Sequence, residues 1–91
     1  SKYEYDILLE LSRYAKDLYN AALYNARQCF FRESRYLNYY ENYALLRNSD
    51  NYKMLNSNMA QQIIKEVDGS FKSFFGLLRL ARKGKHSFKD I

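Results

Sequence analysis

The chain contains no tryptophan and no proline, and it has only one cysteine, one histidine and three glycines. With Cys29 alone, no disulfide can form within the chain, which fits a reducing compartment and a small buried apolar side chain. So few histidines and cysteines argue against a metal site. His86 lies in a basic stretch where only Asp90 is near enough in sequence to orient it as a catalytic base. We therefore expect no catalysis and no cofactor in this chain.

Long hydrophobic runs are also missing, because the longest apolar run has four residues. Nothing of that length spans a membrane, and no signal peptide is evident. With 91 residues the chain makes one domain at most. It starts without a methionine and stops after Ile91, and we interpret it as a piece of a longer protein.

The positive charge is concentrated at one end of the chain. Residues 1–71 hold nine basic and nine acidic side chains, whereas residues 72–91 hold six basic side chains against Asp90 alone, which accounts for the net charge of +5. A local basic cluster attracts phosphate. The alternative is a solvated helix end whose lysines lie near the negative pole of the helix dipole.

The apolar pattern predicts an all-α fold, a small three-helix bundle with two long helices and one short one. The first helix, over about 3–32, has an apolar stripe formed by Ile7, Leu8, Leu11, Tyr14, Ala15, Leu18, Tyr19, Ala22, Ala26 and Cys29. Asn25 falls inside this stripe and needs a hydrogen-bond partner. Asn38 is expected to cap a short second helix over 39–47, and residues 48–56 are expected to form a polar loop.

The third helix is expected to begin after a cap at Asn56 or Ser57 and to be ended by Gly84. This predicts a helical domain over 1–83 and a basic tail or linker over 84–91. Its apolar stripe is formed by Ala60, Ile63, Ile64, Val67, Phe71, Phe74, Phe75, Leu78 and Ala81. The three phenylalanines of SFKSFFG are therefore expected to be mostly core. A membrane-surface role for this helix is disfavoured because the other segments carry complementary stripes.

The opposite side of the third helix is polar, with Gln61, Lys65, Asp68, Lys72, Arg79 and Lys83 on one arc. A glutamine near the helix N-terminus can read an adenine edge, and cations further along the helix can hold phosphates. Alternatively, Gln61 simply faces solvent. Gly69 and Gly76 flank this arc at a cost in helix stability. We expect close contact with the first helix there or, alternatively, the approach of a phosphate backbone.

Several short strings agree in order and spacing with a known family: LYNAAL at 18–23, YLNYY at 36–40, LNS at 55–57, AQQ at 60–62 and FKSFF at 71–75. Across nearly its whole length, the chain resembles the N-terminal helical region of the TnpB (OrfB) proteins of insertion-sequence transposons. These are RNA-guided DNA endonucleases related to type V CRISPR effectors. The matched region is the recognition lobe, also described as a helix-turn-helix domain.

The resemblance implies a prokaryotic, cytoplasmic, nucleoid-associated protein that binds target DNA and guide RNA. In the family, a RuvC-like nuclease with magnesium and a zinc ribbon lie outside the matched region. By position, Tyr39, Ser57 and Gln61 fall where family members contact nucleic acid, although the family often has lysine in place of Ser57. Together with the basic arc, the predicted nucleic-acid-binding residues are Tyr39, Ser57, Gln61, Lys65, Lys72, Arg79 and Lys83. The alternative is a helical protein-interaction module, or a homodimer, without nucleic-acid binding.

Overall fold

A computed structural model describes the backbone of residues 1–89 and the side chains of residues 1–83. Four helices make up this part of the chain: α1 Lys2–Glu33, α2 Tyr39–Leu46, α3 Asp50–Met54 and α4 Ser57–Lys89. No strand occurs within the described backbone. The predicted all-α class is therefore confirmed, with two long helices as expected and two short ones instead of one.

The segment over 48–56, predicted to be a loop, contains the additional helix α3. The hydroxyl of Ser49 accepts a hydrogen bond from the backbone N–H of Tyr52 and so caps this turn. Tyr52 and Leu55 are both buried in the core. The burial of these two apolar side chains stabilises a helical turn. The mostly polar sequence of this segment does not predict that turn.

The predicted end of the last helix at Gly84 was also wrong, because α4 continues to Lys89. A glycine ends a helix when it takes the left-handed conformation, and no glycine in the described backbone has a positive φ. The predicted boundary between 1–83 and 84–91 thus falls inside α4. The side chains of the predicted tail, His86 among them, lie outside the described residues.

Polar caps set the helix ends. Asn38 and Glu41 form a reciprocal capping box at the start of α2, as the sequence predicts for Asn38. Of the two candidates at the start of α4, Asn56 is the cap, since its side-chain oxygen accepts from the backbone N–H of Met59 at 2.8 Å. At the end of α1, Ser34 takes a left-handed conformation with φ 52° and turns the chain back.

The contacts between helices define the topology. Tyr36 bonds to Asp68 whereas Tyr39, further along, lies against Lys65, so α2 runs antiparallel to α4. In the same way, Leu37 lies near Cys29 whereas Asn42 bonds to Ala22, so α2 also runs antiparallel to α1. The two long helices are therefore parallel. The molecule is elongated, with extents of 61 × 28 × 19 Å.

The core lies in the middle of the bundle, where all four helices meet. Its members are Leu18, Ala22, Ala26, Leu46, Tyr52, Leu55, Ala60, Ile64, Val67 and Phe71. Asn25 has the partner that its position requires, because its side-chain amide donates to Asn42 at 3.1 Å. Asn42, only 3% exposed, in turn donates to the backbone carbonyl of Ala22 at 3.0 Å. This confirms the expectation for Asn25.

Both apolar stripes extend beyond the core. Ile7 and Leu8, expected on the buried stripe of α1, are exposed. Of the three phenylalanines, Phe71 is buried and Phe75 is half-buried, but Phe74 is 42% exposed, so its assignment to the core was wrong. Phe74 meets Phe30 of α1 edge-to-face at 5.8 Å, but it also lines an open cleft between α1 and α4, beside Phe31.

The expected close contact at the helix glycines is also wrong. A Cβ atom built on Gly69 or Gly76 would meet no atom within 4 Å. Neither residue is needed for helix packing, since both face open space. The approach of a phosphate backbone, the alternative reason for these glycines, stays a prediction.

Candidate nucleic-acid interface

A row of cations follows one side of α4. We call Lys65, Lys72, Arg79 and Lys83 the cationic flank, and all four side chains are exposed. The first three are seven residues apart, about two helical turns or about 10 Å of rise between neighbours. Asp68 is the one carboxylate on this side of the helix among the described residues. The flank thus presents an extended positive surface.

At the N-terminal end of the cationic flank, α4 contacts α2 through an aromatic ring. The ammonium of Lys65 lies 5.7 Å from the centre of the Tyr39 ring, within cation–π range. The ring of Tyr39 also stacks on Tyr43, with centroids 6.0 Å apart. Partial burial raises the pKa of the Tyr39 hydroxyl above its usual value. The structure therefore brings together two of the predicted residues, Tyr39 and Lys65.

Ser57 and Gln61 lie at the start of α4, on the N-terminal side of the cationic flank. Ser57 is the first residue of the helix and is exposed, whereas Gln61, one turn later, is half-buried. The rise from Gln61 to Arg79 is about 27 Å along the helix. Apart from Tyr39 on α2, the predicted residues therefore form a row along α4 and do not converge on one pocket.

Toward the C-terminal end of the cationic flank, the structure forms a cleft that we call the terminal groove. It has a volume of about 630 Å³ and is lined by Phe30, Ser34, Tyr36, Lys72, Phe75, Leu78, Arg79 and Arg82. The groove exists because α1 stops at Glu33 and the chain turns back through Ser34, while α4 continues in the same direction beyond the end of α1. Two predicted residues, Lys72 and Arg79, lie on its wall.

A small network holds two of the residues that line this groove, Tyr36 and Lys72. The hydroxyl of Tyr36 donates a hydrogen bond to Asp68, and the ammonium of Lys72 lies 3.1 Å from the other carboxylate oxygen. The Asp68 side chain is only 12% exposed, whereas that of Lys72 is 68% exposed. Burial, together with the hydrogen bond to Asp68, raises the pKa of Tyr36. Lys72 is thus partly neutralised, while its outer side remains open.

The turn between α1 and α2 contains Arg35, a cation that differs from those of the flank because it is paired with two carboxylates. Arg35 pairs with Glu33 at 3.1 Å and with Glu41 at 2.6 Å, and this contact lowers the pKa of Glu41. Because two carboxylates already surround Arg35, it adds little to the positive surface. Nearby, the buried thiol of Cys29 donates to Glu33, and burial raises its pKa, as suits an unreactive thiol.

The sequence-based prediction did not include Phe30, Phe75 or Arg82 among the site residues. Their signals were partly visible, because Arg82 belongs to the basic end of the chain and Phe75 to the SFKSFFG string. What the sequence does not show is where α1 stops relative to α4. That level decides whether Phe30 and Phe75 are buried or line a groove.

No family model, curated protein or solved structure matches this chain. The resemblance to TnpB proteins therefore stays a prediction. Among the residues that the structure describes, no group of three acidic, histidine or cysteine side chains is placed to hold a metal ion. The described helices also include none that is long and apolar enough to cross a membrane.

Proposed function

We propose that this chain is a nucleic-acid-binding helical module, equivalent to the recognition region of a TnpB-like RNA-guided DNA endonuclease. On this proposal it contacts target DNA and the guide heteroduplex and carries no catalytic residue of its own. The parent protein would supply the nuclease domain with its magnesium and zinc. The observation that supports the proposal most strongly is the cationic flank, four exposed cations on one side of α4.

The flank has the dimensions of a backbone-binding surface. From Lys65 to Lys83 the rise is about 27 Å, somewhat less than one turn of a duplex, which is about 34 Å. Duplex DNA carries about one phosphate per 1.7 Å of its axis, counted over both strands, so a row of this length lies within reach of several phosphates. Such contacts position a duplex without reading its sequence. Gln61, below the flank, is the candidate for contact with a base edge.

The test is a binding titration with a triple variant, Lys65→Ala/Lys72→Ala/Arg79→Ala. Fluorescence anisotropy would be measured with duplex DNA, an RNA–DNA hybrid and single-stranded RNA at about 50 mM salt and at higher salt. We expect the wild-type affinity to fall steeply with salt. The variant should bind all sequences more weakly, with a shallower dependence on salt.

The matched control removes the same charge from the other long helix, through Lys2→Ala/Arg13→Ala/Lys16→Ala, where all three side chains are exposed. This variant should retain most of the affinity. If both triple variants bind alike, the flank has no special role and general charge explains the binding. If the wild type binds none of the three ligands, the proposed function is wrong for the isolated chain.

A second function, protein interaction, is favoured by a separate observation. Large apolar side chains are exposed at the two ends of the molecule: Tyr3, Tyr5, Leu8 and Leu9 on α1, and Leu77 and Leu80 on α4. Exposed apolar patches of this kind mark contacts with other protein elements. Sedimentation equilibrium distinguishes the two functions, because self-association through these ends predicts a mass that rises with concentration. A monomer at all concentrations leaves nucleic-acid binding as the better account.

A further inference from the structure

We infer that the terminal groove binds one unstacked nucleotide of a single strand, with its base against the aromatic wall and its phosphates on the arginines. This inference rests on the proposed function and makes it more specific. The cationic flank alone requires only a phosphate backbone. The groove adds a place for a base.

The aromatic wall of the groove consists of Phe30, Tyr36 and Phe75. The Phe75 ring meets Phe30 edge-to-face at 5.3 Å and Tyr36 edge-to-face at 5.6 Å. All three residues are only half-buried, so part of this aromatic surface faces the groove. Aromatic side chains of this kind are the platforms on which single-stranded nucleic acids stack their bases.

The cationic wall consists of Lys72, Arg79 and Arg82, and no acidic side chain among residues 1–83 lines the groove. Among the described side chains, Lys72 has Asp68 as an ion-pair partner, whereas no carboxylate lies within ion-pair distance of Arg79 or Arg82. Arginine is suited to the ligand because its planar guanidinium binds phosphate in a bidentate manner and stacks on aromatic rings. The positive wall is therefore complementary in charge to a phosphate.

The size and shape of the groove favour a nucleotide over a duplex. Its volume of about 630 Å³ lies within the range of small-molecule sites, roughly 300–1,000 Å³. In a duplex the faces of the bases are covered by their neighbours. A single strand can instead turn one base out of its stack onto the aromatic rings.

The experiment compares two single strands that differ only in their bases. One is a thymidine oligonucleotide of about ten residues, within the site sizes known for single-strand binders. The other is an abasic oligomer of the same length, which keeps the deoxyribose phosphates. Loss of one stacked base should weaken binding by about 5- to 150-fold, the range that corresponds to base–aromatic stacking. Arg79→Ala/Arg82→Ala should weaken the binding of both oligomers.

A Phe75→Leu variant then locates the base. It should abolish most of the preference for thymidine over the abasic oligomer, provided that its circular dichroism spectrum stays helical. Since Phe75 also packs against the core, Phe30→Leu serves as a second variant with the same expected result. Leu77→Ala, on an exposed side chain outside the groove, is the control and should leave the preference unchanged.

The outcomes separate this inference from the proposed function. Equal binding of the two oligomers, with affinity still lost in the Lys65→Ala/Lys72→Ala/Arg79→Ala variant, overturns the base site and leaves the cationic flank. A preference for thymidine that survives both phenylalanine substitutions also overturns it, because the base must then bind elsewhere. No binding of either oligomer or of any duplex overturns both proposals.

Discussion

The two halves of α4 have the same kind of amphipathic pattern but different surroundings. Over residues 57–71 the apolar side is covered by α1, α2 and α3, and Ile64 and Val67 are fully buried. Over residues 72–83 the helix runs beside the last turn of α1 and then past its end, and its apolar side chains are half-buried or exposed. One helix is thus a structural core element in its first half and a surface in its second half.

The difference shows that a stripe of apolar residues identifies the apolar side of a helix but does not tell which of those residues are buried. Phe71 and Phe74 lie less than one turn apart, yet the first is buried and the second is 42% exposed. Phe71 belongs to the core that the four helices form, whereas Phe74 lies at the edge of that core, against Phe30 in the last turn of α1. Substitution of the buried side chains over residues 57–71 should therefore mainly lower stability, whereas substitution of the exposed cations along α4 should mainly weaken binding.

The largest effect is expected from Ile64→Ala in the covered half. Removing a fully buried side chain leaves a cavity and should lower the free energy of unfolding by about 2–5 kcal/mol. Chemical denaturation followed by circular dichroism measures this. The control, Leu80→Ala in the second half of α4, should change stability by less than about 0.5 kcal/mol. Equal losses in the two variants would show that the halves do not differ.

Asn42→Ala should have the next largest effect. The substitution removes the acceptor for Asn25 and the donor to the carbonyl of Ala22, at a site that is 3% exposed. Leaving buried polar groups unpaired should cost about 1–3 kcal/mol in the same denaturation experiment. Asn20→Ala, on an exposed side chain of α1, should cost nothing. A neutral Asn42→Ala would mean that water replaces the lost partners.

Tyr36→Phe tests the boundary between the two halves. Loss of the hydrogen bond to Asp68 should cost about 1 kcal/mol at neutral pH. The pKa of Tyr36 is raised in the folded state, so its contribution is complete below the usual tyrosine pKa of about 10 and is lost as pH rises above it. Wild-type stability should therefore fall more between about pH 9 and pH 11 than that of the variant. Parallel curves would contradict this role for Tyr36.

The smallest effect, and one of opposite sign, is expected from Gly69→Ala. A Cβ there meets nothing within 4 Å, so alanine should stabilise the helix by about 0.5–1 kcal/mol. Thermal melting measures the gain, and Gly76→Ala should behave alike. Unchanged nucleic-acid binding in these stabilised variants would remove the idea that a phosphate backbone approaches the glycines.

The middle of the fold was largely predictable from the sequence, because periodicity and caps act locally. The all-α class, the cap at Asn38, and the need of Asn25 for a partner are all properties of short segments. The levels at which helices end relative to one another are not local. For that reason the exposure of Phe74, the helical turn around Tyr52 and the terminal groove between Phe30 and Phe75 required the structure.

The site was predictable only in part. Lys65, Lys72 and Arg79 follow from helical spacing, because cations seven residues apart lie on one side of a helix. The partners of these cations do not follow from spacing. The contact of Lys65 with Tyr39 and the inclusion of Arg82 in the groove both depend on how α2 folds back along α4.

The most direct test of the central claim is a map of amide chemical shifts by two-dimensional NMR as a single-stranded oligonucleotide is added to the labelled protein. We predict that the perturbed amides cluster over residues 65–83 and 30–36, along the cationic flank and around the terminal groove. The amides over residues 3–11, in the equally exposed half of α1, should not move. Perturbations centred on 3–11, or none at all, would contradict the assignment of binding to the cationic flank and the terminal groove.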